Sequence, residues 1–416
     1  PWGLPRVTWP SNERIGALFR SNPEYFQLNE VAAVSAAANA SRKITETVSA
    51  AYLRGDTRLL DGRLWLVGGV RFEHTRDDGY GVLNDLRATF QQDARGNLIR
   101  GANGNPLPRP GTAVELARLQ YADRGAHAVR SYGDYYPSLN AAFNVTGNLV
   151  ARAGWARTLG RPNFGQIIPG TTVTSPTAAV RTISVNNTGL RPWTADNLDL
   201  SLELYPGRTG LISVGVFAKD IRDFFGATRL PATPEILASH GLDESYLDYE
   251  VLSQTNVGAA RVTGFEYNFR QSLAGVHPWL RGVGVFFNGT EIQVSGANTA
   301  DFSGFAGRTI NWGLSHAGQR HSVRLNWNYT GRLRDLPVEG AFVPPGTYRY
   351  VAPWLQLDVS AEYRLGTRLS LFLAVRNLTN ASRIQESYAR DTPWYARLRQ
   401  ESQFGGMWNV GVKGTF

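Results

Sequence analysis

The chain has 416 residues, 42% of them hydrophobic, and a formal net charge of +9 that is carried almost entirely by arginine. It contains no cysteine, which excludes a disulfide framework and thiol chemistry, and its arginines form no basic run, which argues against a nucleic-acid partner. No apolar run approaches the roughly 20 residues that a membrane-spanning helix needs, although a membrane β-barrel escapes such a search because only alternate residues face lipid.

The first segment, residues 1–43, lacks the alternation of a strand and is predicted to form a loop with short helices. The helical segments are Glu13–Arg20 and Glu30–Ala40, with Asn12 and Asn29 where N-caps are needed. The chain begins abruptly and shows no leader, so we expect it to be part of a longer protein.

Residues 44–416 are dominated by segments in which apolar and polar residues alternate with a period of two, as in β-strands. In Asn197–Tyr205, for example, four leucines alternate with Asp199, Ser201 and Glu203. Thirteen strands are predicted. They span Ile44–Arg54, Arg63–Thr75, Tyr132–Asn144, Asn148–Thr158, Asn197–Tyr205, Leu211–Phe224, Thr255–Gln271, Pro278–Val294, Gly307–His316, Arg320–Arg332, Trp354–Leu365, Arg368–Leu378 and Gly405–Phe416.

The connections alternate between short turns, such as Gly55–Gly62, and long loops, such as Arg76–Arg130. A soluble sandwich has no reason to separate its connections by length, whereas a membrane barrel has short periplasmic turns and long external loops. The sequence therefore predicts an all-β fold, an antiparallel transmembrane β-barrel. Because closed bacterial barrels have an even number of strands, thirteen strands imply further strands outside this chain.

Charged residues lie on the polar faces of the predicted strands. In a sandwich this face meets bulk water, and in a large barrel it lines a hydrated lumen, so the feature fits both folds. In the barrel, the lumen-lining residues are Arg152, Asp199, Glu203, Asp358, Glu362 and Arg376.

The last strand, Gly405–Phe416, has one apolar aromatic face and one small polar face. It resembles the closing strand of bacterial outer-membrane barrels, whose terminal aromatic residue is part of the signal read by the barrel assembly machinery. This resemblance assigns the assembly signal to Trp408, Val410, Val412 and Phe416.

No catalytic or metal-binding motif stands out. No pair of the six histidines has the spacing of a metal site on one helix face, and His316 and His321 flank a turn. The sequence therefore predicts no enzyme activity, no metal site and no cofactor.

The predicted ligand-binding residues lie in the long loop Leu159–Trp193, and Tyr388–Arg397 offers similar side chains. Arginine, asparagine and tryptophan can hold an anionic chelate or stack on a sugar ring. The alternative interpretation is that the aromatic residues anchor the barrel at the membrane interface and the asparagines form turns. The candidates are Arg161, Asn163, Phe164, Asn186, Asn187 and Trp193.

Taken together, several segments resemble the TonB-dependent outer-membrane receptors, over roughly residues 44–416. Asp134–Phe164 (DYYPSLNAAFNVTGNLVARAGWARTLGRPNF) is similar to a strand, turn and exit segment of that family. Asn187–Phe225, which contains TADNLDLSLELYPG, is similar to a later strand pair, and Ala374–Asn380 (AVRNLTN) fits the pattern nearer the end.

The resemblance implies the C-terminal portion of a barrel of about 22 strands in a Gram-negative outer membrane, with a plug domain and coupling box outside this chain. It also implies import of a ferric siderophore, cobalamin or an oligosaccharide, driven by the TonB complex through the plug. Membrane lipid and lipopolysaccharide would be further partners, because rim arginines can pair with phosphates. The alternatives are a passive porin, an adhesin-like surface barrel and a soluble β-sandwich binding protein, which the upstream plug and detergent dependence would distinguish.

Overall fold

The computed structural model describes residues 10–207, 209–239, 242–296, 304–338, 343–344 and 346–414. Within these ranges, no helix is long and apolar enough to span a membrane. The α-helices are α1 (Asn12–Ser21), α2 (Glu30–Ala40), α3 (Ala113–Gln120), α4 (Phe164–Ile167) and α5 (Pro234–Ser239). The strands are β1 (Lys43–Leu59), β2 (Leu64–Asp85), β3 (Tyr121–Asn144), β4 (Leu149–Gly160), β5 (Thr171–Val173), β6 (Thr182–Val185), β7 (Trp193–Leu204), β8 (Leu211–Pro231), β9 (Glu250–Ser272), β10 (Val283–Gly296), β11 (Arg308–Ala317), β12 (His321–Thr330), β13 (Leu333–Pro337), β14 (Tyr348–Val351), β15 (Trp354–Arg364), β16 (Leu369–Arg376), β17 (Arg383–Tyr388), β18 (Leu398–Ser402) and β19 (Met407–Gly414).

Thirteen strands form one antiparallel sheet, called the wall, in which neighbours in space are also neighbours along the chain apart from the short strands between them. The wall runs in the order β1, β2, β3, β4, β7, β8, β9, β10, β11, β12, β15, β16 and β19. Its connections alternate between short turns at one end and long loops at the other. The predicted number, order and pairing of the strands agree with this sheet.

The wall strands extend further than predicted at the long-loop end. β2 continues to Asp85 and β3 begins at Tyr121, so the predicted loop Arg76–Arg130 is wrong at both ends. β8 likewise continues to Pro231 and pairs with the start of β9 at Glu250. These extensions carry polar residues on both faces, so the alternation that identifies a half-apolar strand is missing there.

The two faces of the wall differ in composition. On one face, called the apolar face, Leu200, Val216 and Phe265 stand in register on neighbouring strands and are 45%, 49% and 42% exposed. The alternate positions, called the polar face, carry residues such as Asp199 and Glu266. A large continuous apolar surface marks contact with a membrane or a partner. Strands that alternate in this way fit a barrel with lipid outside and water inside.

The two helices that precede the wall agree with the sequence, except at one cap. Asn29 caps α2, since its side chain accepts the N–H of Ala32 at 3.0 Å. The prediction of Asn12 as the cap of α1 is wrong, because Ser11 accepts the N–H of Arg14 at 3.3 Å. Both residue types are good caps, and the helix begins one residue earlier than predicted.

Six short strands at the long-loop end were not predicted. β5 and β6 form a hairpin within the loop after β4, and β13, β14, β17 and β18 form a separate antiparallel sheet. Each of these strands is only three to six residues long. Strands this short are hard to recognise, because three to six residues show at most three periods of the alternation.

Replacing Leu200 with arginine should destabilise the complete protein by about 2–4 kcal/mol, because the charge would face hydrocarbon. The matched control is Ser213→Arg, on the polar face of the neighbouring strand β8 and opposite Glu203, which we expect to be nearly neutral. Chemical unfolding of the complete protein in lipid vesicles measures both variants. An equal loss in the two would contradict the assignment of the faces.

Candidate functional site

Charged residues on the polar face form hydrogen-bonded pairs. The Arg152 Nε donates to Glu203 at 3.0 Å, and the Tyr205 hydroxyl donates to the other oxygen of Glu203 at 2.7 Å. The Lys413 Nζ lies 3.5 Å from the Glu362 carboxylate. The residues predicted to line a lumen share this face, and their contact with a lumen stays a prediction. They are Arg152, Asp199, Glu203, Asp358, Glu362 and Arg376.

A row of side-chain amides crosses five neighbouring strands of the polar face at one level. Asn311 donates to Asn288 at 3.2 Å within this row. At its end, Asp358 accepts the side chains of Asn328 at 3.1 Å and Gln356 at 2.7 Å. The row offers hydrogen-bond donors and acceptors with no net charge. Its members are Asn268, Asn288, Asn311, Asn328 and Gln356.

At the long-loop end, the hairpin of β5 and β6 closes a ring of eight strands. β1 leaves the edge of β2 at Tyr80, and β5 pairs in parallel with the same edge at Leu83 to Asp85. β10 leaves β9 at Ala260, and β6 pairs with that edge of β9 at 250–252. With β3, β4, β7 and β8 the ring is continuous. A ring of eight strands is just wide enough for side chains to fill.

The loop after β4 packs against the polar face of β2. The Arg161 Nη2 donates to Glu73 at 2.5 Å, and its Nε lies 4.0 Å from the carboxylate of Glu46. Further along β2, Gly81 leaves space for the loop, because a Cβ at this position would lie 1.3 Å from the carbonyl oxygen of Pro169. The charge pair and the glycine together fix the path of the loop.

Arg87 ties the neighbouring loops together. It is 3% exposed, and its guanidinium donates to the carbonyl groups of Ser245 at 2.5 Å and Gly96 at 2.8 Å. It also lies 4.6 Å from the ring of Tyr246, whose hydroxyl donates to Asp85 at 2.7 Å. Burial, with the charge of Asp85, raises the pKa of Tyr246, so the hydroxyl remains a donor. The adjacent apolar core is Val173, Ile183, Val185, Ala232, Leu237, Tyr246, Tyr249 and Val251.

The four-stranded sheet of β13, β14, β17 and β18 presents tyrosines flanked by arginines. The rings of Tyr350 and Tyr388 stack at 4.1 Å, and the Arg397 guanidinium lies 4.7 Å from the Tyr388 ring. Arg334 lies 4.8 Å from the ring of Tyr348. Of these five residues, only Tyr388 and Arg397 lie in a segment that the sequence offered for ligand binding. The other three lie in β13 and β14, two short strands that the sequence did not predict. We call these five residues the tyrosine–arginine cluster.

Several of the six residues predicted to bind ligand make hydrogen bonds within the protein. Asn186 and Asn187 donate to the backbone carbonyls of Gly165 at 3.0 Å and Gln254 at 2.7 Å. The N–H of Asn163 donates to the side chain of Gln166. These contacts order the loop, and a ligand-binding role for the six stays a prediction. The other three are Arg161, in the pair with Glu73, Phe164, which is 49% exposed, and Trp193, in β7.

The closing strand β19 carries three of the four residues predicted to form the assembly signal. Trp408, Val410 and Val412 lie on the apolar face of β19 and are 61–73% exposed. Phe416 lies outside the described residues. The assembly signal stays a prediction.

Within the described ranges, no group of three or more His, Cys, Asp or Glu residues is placed to hold a metal ion.

Residues 3–378 match the family described as TonB dependent receptor-like, beta-barrel. The chain belongs to the TonB-dependent receptor family. This match confirms the family that the sequence segments resemble and, with the wall, the antiparallel transmembrane β-barrel fold. The family consists of outer-membrane transport receptors of Gram-negative bacteria. A comparison with curated proteins finds no match.

Several solved structures share the fold. The ferric-catecholate import receptor Fiu of E. coli K12 has a TM-score of 0.57 and 14% identity, covering 90% of this chain and 45% of that one. The unliganded ferric citrate transporter FecA has a TM-score of 0.55 and 14% identity, and the match covers 89% of this chain and 45% of that one. A mutant ferric enterobactin receptor (PfeA) of Pseudomonas aeruginosa, in complex with enterobactin, has a TM-score of 0.54 and 17% identity. The match covers 90% of this chain and 55% of that one. The chain thus spans about half the length of the solved structures it matches.

Replacing Gly81 with alanine should release the loop after β4, because the added methyl group collides with the backbone of Pro169. Overpacking costs about 1–3 kcal/mol, so limited proteolysis within 161–192 should speed up by roughly tenfold. Gly55→Ala is the matched control on the same wall, since a Cβ there meets no atom within 4 Å. Equal proteolysis of both variants and the parent would contradict the proposed packing.

Proposed function

We propose that this chain forms the C-terminal barrel portion of a receptor in a Gram-negative outer membrane that imports a ferric siderophore. The observation that carries this proposal is the tyrosine–arginine cluster at the long-loop end, which is the extracellular end in this family's orientation. Ferric siderophores are bulky and many are anionic, and arginine guanidinium groups bind carboxylates and other anionic oxygens strongly. The named ligands of the similar solved receptors, ferric catecholates and ferric citrate, support the same class.

The cluster combines flat rings with positive charge. Burial raises the pKa of Tyr350, and the nearby Tyr388 adds to the effect, so the Tyr350 phenol stays neutral. A neutral stacked pair of rings beside Arg397 offers an aromatic ligand a stacking surface and a charge-assisted donor. Exposed aromatic side chains at the adjacent loop tip, Trp394 at 81% and Tyr395 at 73%, extend this surface.

We assign transport to the polar face of the wall and energy coupling to a part of the protein outside this chain. A plug domain inside the barrel would be moved by the TonB complex, after which the ligand passes along the charged pairs and the amide row. Insertion by the barrel assembly machinery would use the apolar closing strand.

An oligosaccharide receptor is the second candidate, and the amide row favours it. Asn268, Asn288, Asn311, Asn328 and Gln356 offer uncharged donors and acceptors that suit hydroxyl groups. A passive porin would use the same wall without TonB. The proposal of a siderophore rests on the cluster, which neither alternative requires.

The complete receptor should support uptake of radiolabelled iron from ferric enterobactin or ferric citrate in an iron-starved Gram-negative host that lacks its own receptors for them. Uptake should be lost when the host also lacks TonB. The double variant Arg334→Gln with Arg397→Gln should weaken binding of the ferric siderophore roughly tenfold or more, because it removes two charge-assisted contacts.

The matched control is Arg320→Gln with Arg368→Gln, two exposed arginines at the short-turn end that have no ion pair within the described residues. Its uptake should equal that of the parent. Growth on maltooligosaccharides without iron uptake would favour the oligosaccharide receptor, and uptake without TonB would favour the porin.

A further inference from the structure

Two histidine side chains meet at the short-turn end of the apolar face. His316 lies near the end of β11 and His321 begins β12, on the same face as Leu314 and Val323. The Nε2 atom of His321 lies 3.0 Å from the Nδ1 atom of His316, and the ring centroids are 5.0 Å apart. His316 is half-buried and His321 is exposed, so the contact can be reached from outside the wall.

The turn between β11 and β12 holds the two rings together. The N–H of Ala317 donates to the carbonyl of Gly282 at 2.8 Å, and the N–H of Gly318 donates to the carbonyl of His321 at 2.8 Å. Gly318 also leaves space for the imidazole of His321, because a Cβ at this position would lie 2.5 Å from the Cε1 atom of that ring. The contact thus depends on a fixed turn and on a glycine as well as on the two histidines.

The surroundings of the histidine pair carry no charge that would explain the contact. The side chains beside the two imidazoles in register on the same face are Val283, Val323 and Tyr363. Within the described part of the chain, neither imidazole forms an ion pair with a carboxylate, in contrast to His127. Two ring nitrogens at 3.0 Å repel each other through their lone pairs unless a proton or a metal ion lies between them.

The distance between the two nitrogens suits one metal ion that is held by both rings. Neutral imidazole is a good ligand for zinc, copper and nickel ions, and its metal–nitrogen bonds are about 2.0 Å long. Two nitrogens at that distance from one ion are about 2.8 Å apart at a right angle and about 3.3 Å apart at a tetrahedral angle. The observed 3.0 Å lies between these values, so one ion can reach both nitrogens with only a small movement of the rings.

We propose that His316 and His321 bind a divalent transition metal ion. Copper(II) binds most tightly, because its complexes are the most stable of the divalent first-row series. Two protein ligands are fewer than the four of a structural zinc site, so water completes the coordination. The ion joins β11 to β12 across their turn, at the periplasmic end in this family's orientation, and its binding is independent of the transported ligand.

This proposal departs from the sequence-based prediction of no metal site. That prediction rested on the spacing of histidines along one helix face, whereas these two histidines are five residues apart across a hairpin. Side chains on adjacent strands that share a face can meet at such a separation, because the turn brings the strands side by side.

The test is a titration with copper(II) of the complete receptor, purified in mild detergent without a histidine tag and stripped of metal. Pulsed electron paramagnetic resonance should show a copper signal with two imidazole ligands in the parent. His316→Asn or His321→Asn should abolish this signal and weaken binding at the site roughly tenfold or more, because the second imidazole no longer binds within the same molecule.

The matched control removes two histidines that do not face each other. His74 is opposite Gly133 in the register of β2 and β3, whereas His127 is opposite Tyr80. His74→Asn with His127→Asn should therefore keep the two-imidazole signal and bind copper at this site as the parent does. A shift in gel mobility on heating verifies that each variant is folded.

A further variant keeps both histidines and changes only their positions. In Gly318→Ala, the added methyl group displaces the ring of His321, so the two-imidazole signal should fall and copper binding should weaken. Equal copper binding by the parent and both single-histidine variants, or only one imidazole per copper ion in the parent, would overturn the proposal. The contact would then be a hydrogen bond between the two rings and no metal site.

Discussion

Within hydrocarbon, every backbone N–H and C=O group has to find its partner inside the protein, and this constraint determines the wall. Twelve antiparallel pairings connect its thirteen strands, so the backbone of the eleven inner strands is paired without help from side chains. Within the described residues, the outer edges of β1 and β19 have no wall strand beside them. The side chains are then free to differ between the two faces. One face can be largely apolar, and the other can carry charges and amides, because the backbone hydrogen bonds of the ladder form whichever side chains are present.

The same constraint explains why the structure of the long-loop end differs from that of the wall. Above the lipid, strands can exchange partners, and β5 and β6 take the edges that β1 and β10 leave. Packing then becomes possible between loops, and the hydrophobic core around Ile183 and Leu237 forms there. The buried Arg87 and the space that Gly81 leaves for Pro169 fix the packing of these loops. The tyrosine–arginine cluster lies on a separate sheet, so recognition and structural closure are assigned to different loops.

The sequence predicted the wall well because each of its strands alternates over many residues and each turn is short. It could not predict the extensions of β2 and β8, whose polar residues on both faces conceal the strand. The short strands β5 and β6 depend on partners far along the chain, as in the parallel pairing of Thr171 with Leu83. For the same reason, loop composition drew attention to Asn186 and Asn187, whose amides order the backbone, and missed Tyr348 and Tyr350.

The most direct test of the two-faced wall is residue-by-residue accessibility along β7. The chain has no cysteine, so single cysteines at successive positions from 198 to 203 in the complete protein can each carry a spin label in lipid vesicles. A two-faced wall predicts that accessibility alternates with a period of two, with even positions accessible to dissolved oxygen and odd positions accessible to a water-soluble nickel chelate. Uniform accessibility to the nickel chelate along the strand would contradict a wall that separates lipid from water.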